Sequence, residues 1–596
     1  MSTNLITRRE FLRYSGLGAA ALLAMQLPRA SAFAAPPSTT APLLEIDLKA
    51  APAKAAILPG APTNVLSYQG RVVSGDPSRL ASLPNNYLGP IIKVARGQRL
   101  KVNFTNELAE DTTVHFHGLL IPSDMTGHPH APYVVRPGGK FTYEFDVLNR
   151  AGTYFFHPHP HMRVGYQLYH GLAGLVLVTD DEEPALALPD GAQDIPLVIQ
   201  DRTFDVNNQL VYSAGEMGMM GGGMGMMGGM MGGGMMPMMY GFMGNRILVN
   251  GQPDYTLTVP PGPCRLRLLN GSNARIYKLA WQNDMPFTIL ATDGMFLPTP
   301  VQRNYLMLGP AQRMDLWVDF TGQSAGSQLL LQSRAFSNGM MGGMMGSMGM
   351  MGGMMGGMGN TYGMTGTVTM PSTGNLNGMG MRGGMMGGMG MMGGMGTMGG
   401  INTPNGMSTM QAIGDATSFP ILRVRIEGTP AKTGSLPAKL PAAPLHRPEQ
   451  AINATNPRTF QLAMQGTMDW TINGRTFEMD AVADDEKIPF QKVELWQFVN
   501  NSPVAHPMHI HGAFFHVVER SGVSGIAAYD TVSKGFVDEG WLDTVLVMPG
   551  ETVKFLISFA DYQGEYMYHC HIVEHEDMGM MRNLLIGETG MPGMKM

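Results

Sequence analysis

Cysteine is nearly absent: 596 residues contain only Cys264 and Cys570. That excludes a disulfide framework as the organising device. Charge is thin as well, at 14% of residues, with a formal net charge of −6. No lysine- or arginine-rich patch interrupts the acidic balance, so the chain is not built for nucleic acid. Long apolar runs are missing too. The best candidate, residues 16–27, is too short to cross a bilayer well, and convincing long amphipathic helices are scarce.

What the chain has instead is alternation. Phe141, Tyr143, Phe145 and Val147 share one face of a strand-like run, and Val553, Phe555, Ile557 and Phe559 do the same near the end. This is the period of an all-β protein. The length calls for roughly three or four domains. Segments 97–106, 263–270 and 491–500 have one shape, as do the turns at Arg136-Pro137-Gly138, Leu308-Gly309-Pro310 and Met548-Pro549-Gly550. These repeats predict three related β-sandwiches. Cys264 falls in the second such segment and is expected to be a small buried thiol. Residues 217–243 and 339–410, dominated by methionine and glycine, break the pattern. Their glycine load opposes regular helix, while thioethers are soft, flexible ligands that select Cu(I). At the N-terminus, Thr7-Arg8-Arg9-Glu10-Phe11-Leu12 resembles a twin-arginine export signal, with a small-residue cleavage site at Ala30-Ser31-Ala32 or Ala32-Phe33-Ala34. Residues 1–34 are therefore set aside as a signal peptide.

The chemistry concentrates in residues 566–581. His569-Cys570-His571 is followed by His575 and, ten residues past the cysteine, by Met580. A thiolate, two imidazoles and a weak axial thioether make an electron-transfer copper site. Neighbouring side chains on a strand point to opposite faces. Cys570 then faces one metal while His569 and His571 face others, a few bonds away. The second imidazole for Cys570 is available in His506-Pro507-Met508-His509-Ile510-His511-Gly512. Two further motifs, His115-Phe116-His117-Gly118 and His157-Pro158-His159, complete a set of four H-x-H pairs. Both histidines of such a pair share a face in a strand. Eight imidazoles in same-face pairs suit a three-metal cluster.

With these motifs in this order, the sequence resembles the multicopper oxidases, closest to the bacterial methionine-rich cuprous oxidase or metallo-oxidase branch. The resemblance implies three cupredoxin-like Greek-key β-sandwiches: domain 1 over 43–182, domain 2 over 190–428 carrying both methionine-rich insertions, a linker over 429–451, and domain 3 over 452–587. It also implies four copper ions. His506, Cys570, His575 and Met580 match the type 1 site, and His115 and His509 the type 2 site. His117, His157, His159, His511, His569 and His571 match the type 3 pair. Glu576 matches an acid implicated in proton delivery, and Asp124 lies two positions from where a second such acid is expected. The implied reaction couples one-electron oxidations to the reduction of dioxygen to water. Cu(I), for copper tolerance, is the expected reductant, with laccase-like oxidation of phenols and aromatic amines as the alternative. A methionine-rich Cu(I) buffer is the non-enzymatic one. The residues Ser502-Pro503-Val504-Ala505 stand where the best-known cuprous oxidases hold an acid and a methionine, so that substrate-copper site does not carry over. The expected setting is a periplasmic or otherwise extracytoplasmic monomer, exported folded by the twin-arginine machinery, with no stable membrane span.

Overall fold

The computed structural model describes residues 42–83, 86–130, 132–213, 239–336, 417–429, 434–466, 469–523 and 527–587. The expected signal peptide, residues 217–238 of the first methionine-rich insertion and all of 339–410 lie outside them. The described residues form an all-β, cupredoxin-like structure of six sheets, paired into three sandwiches.

In the first sandwich, strand Arg99–Asn106 shows why the chain folds this way. Leu100, Val102, Phe104 and Asn106 are buried and the residues between them are half-exposed, so one face packs inward and the other meets water. This strand runs parallel to Leu43–Ala55 and antiparallel to Lys140–Asp146. The opposing sheet carries the histidines. Strand His115–His117 pairs antiparallel with Gly152–His157, placing His115 opposite His157. Every residue of both strands is buried.

The third sandwich repeats the device. Strand His506–Ile510 pairs antiparallel with Gly564–Cys570, with Met508 opposite Cys570 and His509 opposite His569. Met508, Ile510, Tyr566, Tyr568 and Cys570 turn into the sandwich core. His509 and His569 therefore turn outward, toward the first sandwich. The second sandwich has the largest core, which includes Cys264 on strand Pro263–Asn270. Burial pushes the Cys264 thiol up to about 12, so it is an inert packing group as expected.

Apolar clusters join the sandwiches. Phe155, Val164 and Leu168 of the first meet Val198, Leu248 and Leu269 of the second. Ile276 and Met307 of the second meet Ala505, Phe536 and Leu546 of the third. Between first and third, Asp577 accepts from the backbone N–H groups of Val164 (3.0 Å) and Gly165 (2.9 Å). Tyr566 donates to the Ile121 carbonyl (2.9 Å).

The glycine ending the third-sandwich histidine motif has a steric reason. Gly512 has φ +77°, and a Cβ there would lie 2.5 Å from the Tyr566 ring. Gly97 has φ +80° but open space around it. Gly97→Ala should cost only the left-handed backbone penalty, about 1 kcal/mol. Gly512→Ala should cost about 2–4 kcal/mol, because overpacking adds to it. Chemical denaturation of the two variants measures the difference; equal losses would remove the Tyr566 contact as the cause.

Candidate metal centre

One group of donors surrounds the thiol. His506, Cys570 and His575 are fully buried and offer ligand atoms within 4.8 Å of one another. His506 Nδ1 lies 3.4 Å from the Cys570 sulfur and His575 Nδ1 3.7 Å. The short helix Val573–Asp577 turns the chain back to bring His575 in. Met580 is buried in the same core, its N–H donating to the His575 carbonyl (2.8 Å) and its carbonyl accepting from the Cys570 N–H (3.0 Å). Both imidazoles are held from behind. The Ser502 hydroxyl is 2.7 Å from His506 Nε2, and the Met239 carbonyl 3.2 Å from His575 Nε2. The Trp470 ring lies against His575 at 4.1 Å between centroids. Nδ1 of each ring is thus left for the sulfur side. Burial raises the thiol well above its ordinary range and lowers His575 to about 3. The rings are neutral, and a bound cation is what makes the thiolate favourable.

The other eight histidines form three groups, the first two sharing His117: His115 with His117 and His509; His117 with His157 and His571; His159 with His511 and His569. All are buried. Rings of the first sandwich stack on rings of the third: His115 on His511 at 3.9 Å, His117 on His509 at 3.7 Å. Four of the eight have one nitrogen committed to a carbonyl. Nδ1 of His115 meets Thr126 (2.8 Å), of His509 Asp543 (2.8 Å), of His157 Pro158 (2.9 Å) and of His569 Cys570 (3.1 Å). This fixes the tautomer and leaves Nε2 basic. The Nε2 atoms of His115, His157 and His509 have no protein partner. Those of His159 and His511 approach His569 Nε2 to 3.4 and 3.2 Å.

His117 is turned the other way: Nε2 faces Asp543 Oδ1 at 3.1 Å and Nδ1 is unpartnered. Buried polar atoms need partners, and neutral imidazoles are metal donors. Burial, reinforced by the neighbouring histidines, holds His115, His117, His509, His511 and His571 far below their ordinary value. The donor set therefore fits metal ions, with a soft sulfur site on one face of the ribbon and an all-imidazole site on the other.

The two candidate acids separate. Glu576 is buried, at 3.3 Å from His159 Nε2 and 3.1 Å from His569 Nδ1. These are ion-pair distances without hydrogen-bond alignment, and neither oxygen has a hydrogen-bond partner. Burial works to raise its carboxyl, but the imidazoles of His569 and His159 outweigh that and hold it at about 2. Asp124 is exposed on the turn Ser123–Met125. The cluster meets the residue just after that turn, Thr126, through its carbonyl.

Sequence reasoning missed Asp543 and Arg313. Their signal was available: charged residues inside the apolar runs Trp541–Val547 and Met314–Val318 or at their edge. It also passed over a further H-x-H pair, His128-Pro129-His130. Both rings are buried, 5.1 Å apart, outside the three groups. His161 packs beside Phe477, and His516 Nε2 meets the His446 carbonyl at 2.7 Å.

Family models for multicopper oxidases match residues 67–183 and 451–590. The chain is 26% identical over 544 residues to a multicopper oxidase of Staphylococcus aureus, covering 90% of this chain and 88% of that one. It is 27% identical over 546 residues to a laccase of Bacillus stratosphericus, covering 85% and 90%. The solved structure of McoA multicopper oxidase from the hyperthermophile Aquifex aeolicus superposes with a TM-score of 0.66 at 29% identity, covering 91% of this chain and 96% of that one. The two family matches bracket all of the histidine motifs and Cys570, and the chain belongs to the multicopper oxidase family, copper-holding oxidoreductases that use dioxygen.

Proposed function

We propose that the protein oxidises Cu(I) to Cu(II) at the thiolate site and reduces dioxygen to water at the histidine cluster, four Cu(I) and four protons being consumed per O2. In this reading His506, Cys570, His575 and Met580 hold one type 1 copper, His115 and His509 one type 2 copper, and the remaining six cluster histidines a type 3 pair. Copper, when bound, supplies one-electron chemistry at both ends. The residues do the rest. Cys570 joins its two neighbouring histidines through a few covalent bonds, so the ribbon itself is the conductor. Glu576 keeps a carboxylate beside His159 and His569 that can accept a proton at either oxygen. The folded chain works outside the cytoplasm after twin-arginine export.

The observation that carries the choice of Cu(I) is where the described flanks of the first methionine-rich stretch sit. Its flanks meet the helix that bears His575. Tyr212 donates to Glu574 (2.9 Å), and the Met239 carbonyl faces His575 Nε2. Met239 and Met243 pack on the thiolate-site core. Soft thioethers at the point where electrons arrive suit a Cu(I) donor. The second reading, oxidation of phenols, draws on the laccase relative.

Replacing residues 214–238 by a short Gly/Ser bridge should lower kcat/KM for Cu(I) at least tenfold and leave that for a phenol unchanged or higher; deleting 339–410 tests the second stretch in the same way. Oxygen uptake separates oxidase from sink: a buffer would bind Cu(I) with no oxygen consumed, whereas the oxidase consumes one O2 per four Cu(I). Met580→Leu should keep the blue colour and raise the redox potential, since a weak thioether donor would be lost from the site. An unchanged potential on titration would remove Met580 from the site. Glu576→Gln should slow oxygen consumption about 10²-fold or more while the blue band still bleaches at the normal rate under anaerobic reductant. If bleaching slows equally, Glu576 acts on electron delivery instead.

A further inference from the structure

The second sandwich contributes none of the donor atoms, yet one of its side chains reaches the cluster. Arg313 begins strand Arg313–Asp319 and is completely buried. Its guanidinium donates to both oxygens of Asp543, Nη1 to Oδ1 at 2.9 Å and Nη2 to Oδ2 at 2.6 Å. The other donors are satisfied by carbonyls: Nε by Thr153 (3.3 Å), Nη1 by Ala311 (3.0 Å) and Nη2 by Asp293 (2.9 Å). Thr153 belongs to the first sandwich and Asp543 to the third, so a single side chain clamps all three.

Asp543 is what the clamp positions. It is fully buried and precedes strand Thr544–Val547. Its Oδ1 accepts from the Thr544 hydroxyl at 2.8 Å and faces His117 Nε2 at 3.1 Å, and its backbone carbonyl takes His509 Nδ1 at 2.8 Å. Behind it, Asp293 of the second sandwich accepts from the N–H groups of Asp543 and Thr544, both at 3.1 Å. One residue thereby sets which nitrogen of His117 and which of His509 is left free. An unpaired buried carboxylate at this spot would itself compete for a cation. A bidentate guanidinium neutralises it and fixes its plane, so it acts as an acceptor for imidazole N–H. Gly118 shows how tightly this is packed: at φ +81°, a Cβ there would sit 2.5 Å from Asp543 Oδ2 and 2.7 Å from Arg313 Nη2.

We infer that the Arg313–Asp543 pair is a positioning device for the copper cluster. It holds His117 with Nδ1, and His509 with Nε2, turned to the metal, and it makes the middle sandwich part of the cluster's support. The inference rests on the copper-centre assignment proposed above.

The test uses fully copper-loaded protein. Arg313→Lys keeps the charge and loses the fork; Thr544→Val removes one bond to Asp543 and preserves shape; Gly118→Ala pushes on the pair from the other side. Losing a partner that orients a ligand costs 10–100-fold in metal affinity. Each variant should release cluster copper at a chelator concentration 10–100-fold lower than wild type, for Arg313→Lys and Gly118→Ala, and a few-fold lower for Thr544→Val. Each should also shift the type 2 electron paramagnetic resonance parameters, with the blue thiolate band per chain unchanged. Chelator midpoint and type 2 signal both unchanged in folded Arg313→Lys, or in Thr544→Val if the former does not fold, would overturn the inference. Loss of the blue band together with the cluster signals would mark a general packing role and overturn it as well. Wild-type protein that holds no blue copper at all would instead sink the copper-centre assignment.

Discussion

The alternation of side chains across two hydrogen-bonded strands is the constraint on which everything else depends. Because Met508 pairs with Cys570 and His509 with His569, each strand of the ribbon gives one set of residues to the sandwich interior and the other to the boundary with the first sandwich. A one-residue slip would exchange the two sets and place the sulfur in the imidazole cluster. The register is secured by core packing on one side, where Tyr566, Tyr568 and Met508 are buried. On the other it is secured by stacked rings from a different sandwich.

That cluster is also a concentration of unmet bonding. Neutral imidazoles with unpartnered nitrogens, packed between two sandwiches, cost free energy until something accepts their lone pairs. Binding ions only in the folded state stabilises that state by mass action. The site and the boundary between first and third sandwiches are therefore one thermodynamic object, and the carbonyls that fix each ring in advance reduce the ordering cost of loading it.

Much of this was legible in the residues. The H-C-H run and the spacing to His575 and Met580 follow from strand alternation and the donor preferences of copper, both local properties. The all-β reading rested on runs such as 141–147, where period two is plain. What escaped was non-local. Asp124, two positions from where the resemblance expects a second acid, is exposed on its turn, and the cluster meets the Thr126 carbonyl nearby. Asp543 lies 426 residues from His117, and no periodicity links them. Arg313 opens its strand where two other sandwiches meet it, and nothing in its local sequence announces those contacts. The middle sandwich, which holds none of the four predicted histidine pairs, supplies through that arginine the charge that makes Asp543 tolerable.

The anchoring of Tyr212 to Glu574 and of Met239 to His575 has a consequence for how such a chain can vary. Both feet of the intervening stretch stand on one short helix, so its two ends are already brought together whatever lies between. Closure entropy rises only logarithmically with the length of a connection, about 0.6 kcal/mol for each doubling. Insertions and deletions of glycine and methionine between those two feet therefore leave the strands His506–Ile510 and Gly564–Cys570 untouched.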